Sequence, residues 1–173
     1  MSHTNCMLDL ETLGTGYDAM IVAIGAVTFG KDGLGSEFYC VVDPEKAGGN
    51  ISPSTVKWWM QQNEDARSIF KKTTKALPEA EALIQFQAFC GSVAVKKELK
   101  VWGNGSDFDN VIIKSAFERQ DLEVPWMYYN NRCFRTFKAM YPKTEYSVKG
   151  TKHNALDDAK SQAEHMVKLL AKR

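Results

Sequence analysis

The stretch TNCMLDLE, residues 4–11, alternates with the two-residue period of a β-strand. Its two faces differ, since one carries Cys6, Leu8 and Leu10 and the other carries Met7, Asp9 and Glu11. Asp9 and Glu11 therefore leave the same side of the strand, about 6–7 Å apart. A solvated strand face accounts for two such acids, whereas a divalent cation between them would remove their mutual repulsion. Both interpretations stay open on this stretch alone.

Two further strands follow it. Residues 21–29, IVAIGAVTF, form a continuous apolar run that is typical of a buried strand. Residues 37–42 form a third strand after the tight turn Asp32-Gly33. The first forty residues therefore predict an antiparallel meander.

Helical and extended segments alternate along the rest of the chain. We expect Ser52 to cap a helix whose first residue is Pro53. Further helices are expected near residues 64–71, 78–95, 108–120, 134–140 and 155–172, with extended segments near residues 99–102 and 126–129. This order predicts one α/β domain over residues 1–173, with a mixed five-stranded sheet flanked by helices.

Composition excludes several classes of protein. Hydrophobic residues make up 44% and charged residues 25% of the chain, which is ordinary for a globular domain. The net charge of +1 means that nucleic-acid binding would rest on local basic patches. The sequence shows no signal peptide and no apolar run of about 18 residues, so we expect neither export nor membrane insertion. The cysteines are too widely spaced for a disulfide framework, which favours a cytoplasmic location; they are Cys6, Cys40, Cys90 and Cys133.

A third acid follows the fourth predicted strand, in the segment GNGSDFD, residues 103–109. A helix from about Phe108 places Ser106 or Asp107 at its N-cap. Asp109 then falls on the inward stripe of that helix, which also carries Ile112, Ile113 and Ala116. Because an ionised group is costly to bury without a partner, Asp109 is expected to need a cation. Asp107 falls on a polar face, where a solvated acid is the simpler expectation.

The segment HNALDDA, residues 153–159, opens the last helix. Asn154 is the expected N-cap, and Asp157 resembles the back-bonding half of a capping box. Asp158 is expected to face the sheet, on a helix whose alanines at positions 155, 159 and 163 allow close packing. His153 lies just before the helix, where it is either an inert loop residue or a proton acceptor.

Aromatic and basic residues give weaker signals. Trp58 and Trp59 are adjacent on a helix and point about 100° apart, so one is expected in the core, and whether the other offers an exposed stacking surface stays open. Basic side chains cluster late in the chain, where they either contact phosphates or form a solvated charge run; they are Arg132, Arg135, Lys138, Lys143, Lys149 and Lys152.

Taken together, these segments resemble the three motifs of the DEDDh branch of the 3′–5′ exonucleases, which have a ribonuclease H-like fold. The matching segments are DLET at residues 9–12, NGSDFD at 104–109 and HNALDD at 153–158. The resemblance to small phage and prophage exonucleases similar to exodeoxyribonuclease VIII, and to related exoribonucleases, adds WW at 58–59, VWGNG at 101–105 and RT at 135–136. Asp107 departs from the pattern, because a small neutral residue is expected there.

The resemblance implies a metal-dependent exonuclease that uses two divalent cations, Mg²⁺ or Mn²⁺. Asp9 would bridge the two ions, Glu11 and Asp158 would help hold the ion that carries the nucleophilic water, and Asp109 would serve the second ion mostly through water. His153 would be the general base. The residues expected to position the terminal nucleotide are Thr12, Leu13, Asn104 and Phe108.

The partner that the resemblance implies is a nucleic acid with a free 3′ end, and we expect DNA rather than RNA. No membrane partner is expected, a homodimer is left open, and a phage-encoded chain would work in the host cytoplasm. An exoribonuclease is the main rival, because recognition of a 2′-OH depends on pocket contacts that motifs do not reveal. A catalytically idle nucleic-acid-binding module of the same fold is the second rival, and a plain α/β domain with coincidental acids is the third.

Overall fold

A computed structural model describes residues 3–71 and 75–172. The five strands are β1 (Asn5–Thr12), β2 (Ile21–Gly30), β3 (Gly33–Val41), β4 (Lys100–Gly103) and β5 (Asn131–Cys133). The helices are α1 (Pro53–Met60), α2 (Glu64–Arg67), α3 (Glu79–Val93), α4 (Asp109–Arg119), α5 (Phe134–Ala139) and α6 (Ala155–Leu170), with short 3₁₀ turns at Ser68–Phe70 and Tyr128–Asn130.

The strands form one mixed sheet in the order β3-β2-β1-β4-β5. The first three strands pair antiparallel, and β4 and β5 join β1 in parallel. The predicted meander followed by alternating strands and helices is therefore confirmed. β1 is central, its acidic face packs against α6, and Glu11 is buried, so the interpretation of the two acids as a solvated strand face is wrong.

Two apolar cores lie on the two faces of the sheet. One face packs against α3 and α4 through residues that include Leu8, Ile24, Phe86, Ile113 and Phe117. The other face packs against α5 and α6 through residues that include Met7, Phe29, Trp102, Phe134 and Met166. The acidic face of β1 is the one that meets α6.

The first turn of α6 lies very close to β2. Gly25 pairs with Asp9 across the sheet, and a Cβ built on Gly25 would lie 2.1 Å from the carbonyl carbon of Ala155. Ala155, Ala159 and the third alanine, Ala163, are fully buried, as their spacing predicts. A glycine on the strand and alanines on the helix thus let α6 carry Asp158 down to the acids of β1.

Two strand boundaries differ from those predicted. The hairpin turn is Lys31-Asp32, and β3 begins at Gly33, whose φ of 130° favours glycine. The fifth strand is residues 131–133 rather than 126–129. Trp126 is buried between aromatic rings instead, and the chain makes a 3₁₀ turn at Tyr128–Asn130 before β5 begins and pairs with β4.

Helix starts were predicted better than the bonds that cap them. α1 begins at Pro53 after Ser52, but the Ser52 hydroxyl is 2.7 Å from that of Ser54 and makes no cap bond. The N-cap of α4 is Phe108, so the prediction of Ser106 or Asp107 is wrong. Phe108 offers no side-chain cap bond, and the carboxylate of Asp109, the first helical residue, accepts a hydrogen bond from the backbone N–H of Asn104.

At α6, the cap is confirmed and the capping box is not. Asn154 accepts hydrogen bonds from the backbone N–H groups of Leu156 and Asp157. The carboxylate of Asp157 accepts from the N–H of Thr151, at 2.8 Å, instead of from that of Asn154. Asp157 therefore holds the preceding loop rather than the cap itself.

The cysteines and the helices agree with the remaining expectations. All four cysteines are free, and three of them are buried in the core. Within the described part of the chain, no helix has the length and apolar character needed to cross a membrane. The cytoplasmic location expected from the thiols stays a prediction.

Candidate active site

A cavity of about 760 Å³ opens beside the C-terminal half of β1, where α1, α4 and α6 converge. All five residues proposed for catalysis line it, namely Asp9, Glu11, Asp109, His153 and Asp158. They are far apart in the chain, so the sheet order and the close packing of α6 bring them together.

Asp9 lies between the other acids. Burial raises the pKa of its carboxyl group well above the usual range, and the charges of Asp109, Glu11 and Asp158 raise it further. Gln162 opposes these effects by donating a hydrogen bond to Oδ1 of Asp9 at 2.8 Å. The predicted site omitted Gln162, although its position one helical turn after Asp158 was a usable signal.

Glu11, Asp158 and His153 form the tightest group in the cavity. Each offers one possible ligand atom, and these three atoms lie within 4.8 Å of one another. Burial raises the pKa of Glu11 to about 8, with a further contribution from Asp158. Burial also raises the pKa of Asp158, although the backbone N–H of His153 donates to its Oδ2 at 3.0 Å.

Asp109 is buried, as its position on the inward stripe of the helix predicts. Its Oδ1 accepts from the N–H of Leu10 at 3.1 Å, and its Oδ2 accepts from the N–H of Asn104 at 2.8 Å. Burial raises its pKa to about 6, and these bonds and the charge of Arg135 oppose the rise. Asp109 thus joins β1 to the end of β4, with one oxygen directed to each.

The position of the His153 side chain follows from an unusual backbone conformation and from ring contacts with two tryptophans. Its φ of 64° is rare for a residue other than glycine. Its ring meets the ring of Trp58 edge-on at 4.8 Å and that of Trp59 at 6.3 Å. The indole N–H of Trp59 donates to the carbonyl of Thr12 at 2.8 Å, which ties α1 to β1. Burial lowers the pKa of His153, so the ring is neutral near pH 7.

The two tryptophans divide as predicted. Trp59 is 3% exposed and belongs to the interior, whereas Trp58 is 39% exposed at the cavity wall.

Three of the four residues predicted to position a nucleotide, Thr12, Asn104 and Phe108, line the cavity as well. Leu13 does not, and its backbone bonds instead to Met20 and Ser52.

The late basic cluster reaches the cavity only in part. Arg135 and Lys152 line it, and the exposed Asp107 lies on the same wall. The other four basic residues do not line the cavity. For example, Lys149 pairs with Glu164 at 2.6 Å, and Lys138 lies over the ring of Tyr146.

Tyr146 itself lines the cavity and was not predicted, because an irregular loop gives no periodic signal.

The four carboxylates share one chemical property. None of them forms an ion pair with a basic side chain anywhere in residues 3–71 or 75–172. Burial raises the pKa of all four carboxyl groups, the charges of neighbouring cavity acids raise those of Asp9 and Glu11 further, and a bound cation would offset both effects. Clustered carboxylate oxygens are the ligands that hard divalent cations prefer. The cavity therefore fits a divalent metal.

Comparison with known proteins agrees with this geometry. The model of the 3′-5′ exoribonuclease Rv2179c-like domain matches residues 4–170. No curated protein gives a significant match to the sequence.

Several solved structures share the fold. The cell-death related nuclease CRN-4 aligns with a TM-score of 0.63 and 15% identity over 98% of this chain, which spans only 64% of the CRN-4 chain. The nuclease domain of 3′hExo, a DEDDh family member bound to rAMP, aligns with a TM-score of 0.63 and 14% identity over 97% of this chain and 92% of its own. Exonuclease X in complex with 5′ overhanging duplex DNA aligns with a TM-score of 0.56 and 14% identity over 97% of this chain and 92% of its own. The predicted ribonuclease H-like fold is confirmed.

Proposed function

Because the chain belongs to the family of Rv2179c-like 3′–5′ exoribonuclease domains, we propose that the acidic cavity hydrolyses phosphodiester bonds at a nucleic-acid 3′ end and releases nucleoside 5′-monophosphates. The observation that carries this proposal is the convergence of four carboxylates without a cationic partner on one neutral histidine. A domain that only binds nucleic acid gains nothing from such a cluster, because the acids repel phosphate.

Two divalent cations, Mg²⁺ or Mn²⁺, complete the site in this proposal. Asp9, Glu11 and Asp158 would hold one ion, and Asp9 and Asp109 would serve the other. Bound ions would supply the positive charge that favours attack by water and departure of the 3′-oxygen. Both oxygens of Asp109 already accept backbone hydrogen bonds, which supports a contact through water rather than direct ligation.

His153 is the proposed general base. A base must be neutral before it accepts a proton, and burial keeps the pKa of this imidazole below its usual value. Trp58 and Trp59 restrict the ring to one region of the cavity, beside Glu11 and Asp158. The ring can therefore take the proton of a water molecule that attacks the terminal phosphate.

Three of the four residues predicted to position the terminal nucleotide keep that role in this proposal. Thr12, Asn104 and Phe108 would contact the terminal nucleotide, since they border the acids in the cavity. Leu13 would contribute only if the chain near the end of β1 shifts on binding. Arg135 and Lys152 would attract the phosphates of the strand.

The proposed activity leaves open whether the substrate is DNA or RNA. The family description favours RNA, whereas the phage-like resemblance favours DNA. Related folds have been seen with a ribonucleotide in 3′hExo and with duplex DNA in exonuclease X. Our preference for DNA, and the homodimer left open above, both stay predictions.

One experiment tests the proposed activity. Single- and double-stranded DNA and RNA, labelled at either the 3′ or the 5′ end, are incubated with Mg²⁺ or Mn²⁺ and resolved on a gel. A 3′ label should appear at once as mononucleotide, while a 5′ label should shorten in single steps, and EDTA should stop both. Internal cuts, or shortening from the 5′ end, would contradict the proposal. No turnover on any substrate with Mn²⁺ would favour the idle binding module.

A further inference from the structure

Tyr146 lies in the segment between α5 and α6, which has no helix or strand of its own. Its ring packs at 5.8 Å from the ring of Phe134 and at 5.3 Å from that of the buried His165. The ammonium group of Lys138 lies 4.6 Å from the ring centre. The ring therefore has a defined seat on α5 and α6, although it belongs to a loop.

The loop around Tyr146 is attached to α6 at three later points. The backbone N–H of Lys149 donates to the hydroxyl of Ser161 at 2.9 Å. The N–H groups of Thr151 and His153 donate to the carboxylates of Asp157 and Asp158. Because the backbone after Tyr146 is fixed in this way, its side chain is held at the cavity before any substrate arrives.

The hydroxyl of Tyr146 is available for a ligand. Tyr146 lines the cavity with Asp9 and Asp158, yet its oxygen has no hydrogen bond to any other residue in the described ranges. Burial raises the pKa of Tyr146 to about 12, and the charges of Asp158 and Asp9 contribute. The hydroxyl thus keeps its proton at all working pH values and can donate it in a hydrogen bond.

Arg135 is a second donor in this cavity without a partner among the described residues. It lines the same cavity and forms no ion pair with another described residue. A neutral hydroxyl donor and a guanidinium group together suit an oxygen anion, and phosphate oxygens are the anions that the proposed reaction brings to the cavity.

We propose that the Tyr146 hydroxyl donates a hydrogen bond to a non-bridging oxygen of the substrate's terminal phosphodiester and thereby positions it over the acids. This assignment rests on the proposed function. Because the contact is to phosphate rather than to sugar or base, it should serve DNA and RNA equally.

The test compares Tyr146→Phe with Tyr141→Phe. Both tyrosines pack against the same apolar core, but Tyr141 does not line the cavity, so it controls for the loss of a hydroxyl. Loss of a hydrogen bond to a charged group should lower kcat/KM of Tyr146→Phe by about 10- to 100-fold on both polymers. The melting temperature and the Mn²⁺ affinity, measured by calorimetry, should stay at the wild-type values. Tyr141→Phe should match the wild type throughout.

Three results would overturn the assignment. Wild-type kcat/KM in Tyr146→Phe would show that the hydroxyl is idle. A loss of Mn²⁺ affinity as large as the loss of activity would place the hydroxyl at the metal instead. A loss confined to RNA would indicate a contact to the 2′-OH. If the wild-type protein shortens no substrate, the proposed function fails and this assignment falls with it, whereas an active wild type with an equally active Tyr146→Phe removes the assignment alone.

Discussion

Carboxylates are withdrawn from solvent in two regions of this molecule, and the two regions differ in whether a basic side chain pairs with the acid. Glu79, at the start of α3, is 1% exposed. Arg119 donates to both of its oxygens, at 3.0 and 2.6 Å, and Gln120 donates at 2.7 Å. Burial alone would raise the pKa of Glu79, but these donors hold it below the usual value. Here the fold supplies its own cation.

The four carboxylates proposed as metal ligands in the acidic cavity have no such partner among the described residues. Burial raises the pKa of Asp9, Glu11, Asp109 and Asp158, and the charges of the other cavity acids raise those of Asp9 and Glu11 further. The only nearby guanidinium, among the described residues that line the cavity, is Arg135, and it does not pair with them. The fold neutralises a buried acid with its own arginine where the acid serves structure, whereas the cavity acids have the charge and burial that fit a cation from solution.

The largest expected effect is the loss of activity in Asp158→Asn. Removing this carboxylate should lower turnover by at least about 10³-fold, because the cluster loses a charged ligand. Asp157→Asn is the matched control, since the asparagine oxygen can still accept from the N–H of Thr151. A gel assay of 3′-end shortening measures both variants. Normal turnover in Asp158→Asn would refute the metal assignment.

The next effect concerns the proposed base. His153→Ala should cut turnover by about 10²- to 10⁴-fold while leaving metal and substrate binding intact. Single-turnover kinetics and oligonucleotide binding separate the two quantities. His3→Ala is a suitable control, because His3 pairs with Asp32 far from the cavity. Loss of tight substrate binding together with activity would mean that His153 has a structural role.

The paired region should respond in stability rather than in activity. Arg119→Ala should lower the free energy of unfolding by about 2–4 kcal/mol, because Glu79 is left buried without its cation. We expect less than for a fully enclosed pair, since the side chain of Arg119 is 21% exposed. Chemical denaturation measures the change. Activity per folded molecule should persist, and its collapse would show that the two regions are coupled.

Gln162 connects the cavity to the fold in a weaker way. It is 2% exposed and donates to Asp9, while its own oxygen has no partner among the described residues. Gln162→Leu should weaken Mn²⁺ binding by about 10- to 100-fold, because Asp9 loses the group that orients it. Gln85→Leu, on the exposed surface of α3, is the control. Unchanged Mn²⁺ affinity would remove Gln162 from the site.

The smallest effect is on the pH dependence of stability. The pKa of Glu11 is about 8 in the folded chain, above its ordinary value of 4.5, so the unfolded chain binds fewer protons between these values. The stability of the metal-free protein should therefore fall as pH rises from 7 to 8, by at most about 1.4 kcal/mol for this group. Glu11→Gln should flatten the slope measured by denaturation. An unchanged slope would mean that Glu11 is not protonated in the folded state.

The sequence predicted local features and recurring motifs well, and long-range contacts less well. Alternation in residues 4–11 gave β1, and Ala155, Ala159 and Ala163 gave the helix face that packs on the sheet. Asp109 was predicted to be buried with a cation, but its hydrogen-bond partners are backbone N–H groups of Leu10 and Asn104. Such partners depend on how strands are paired, which a periodic pattern does not encode.

Other residues gave little or no signal. Tyr146 lies in an irregular loop, and its position follows from ring packing against Phe134 and His165. The fifth strand lies later than predicted, since Trp126 is buried in the core and the pairing with β4 begins at Asn131. Gln162 could have been predicted, since its spacing of four residues from Asp158 places both side chains on the same face of the helix.

The most direct test of the account is a calorimetric titration of Mn²⁺ into the metal-free protein and into Asp9→Asn and Glu79→Gln. The wild type and Glu79→Gln should bind Mn²⁺ alike, the affinity should rise between pH 7 and 8 as the cavity acids lose protons, and Asp9→Asn should abolish binding. Equal Mn²⁺ binding by Asp9→Asn and the wild type, or no binding by the wild type, would contradict the claim that the unpaired acids are built for a divalent cation.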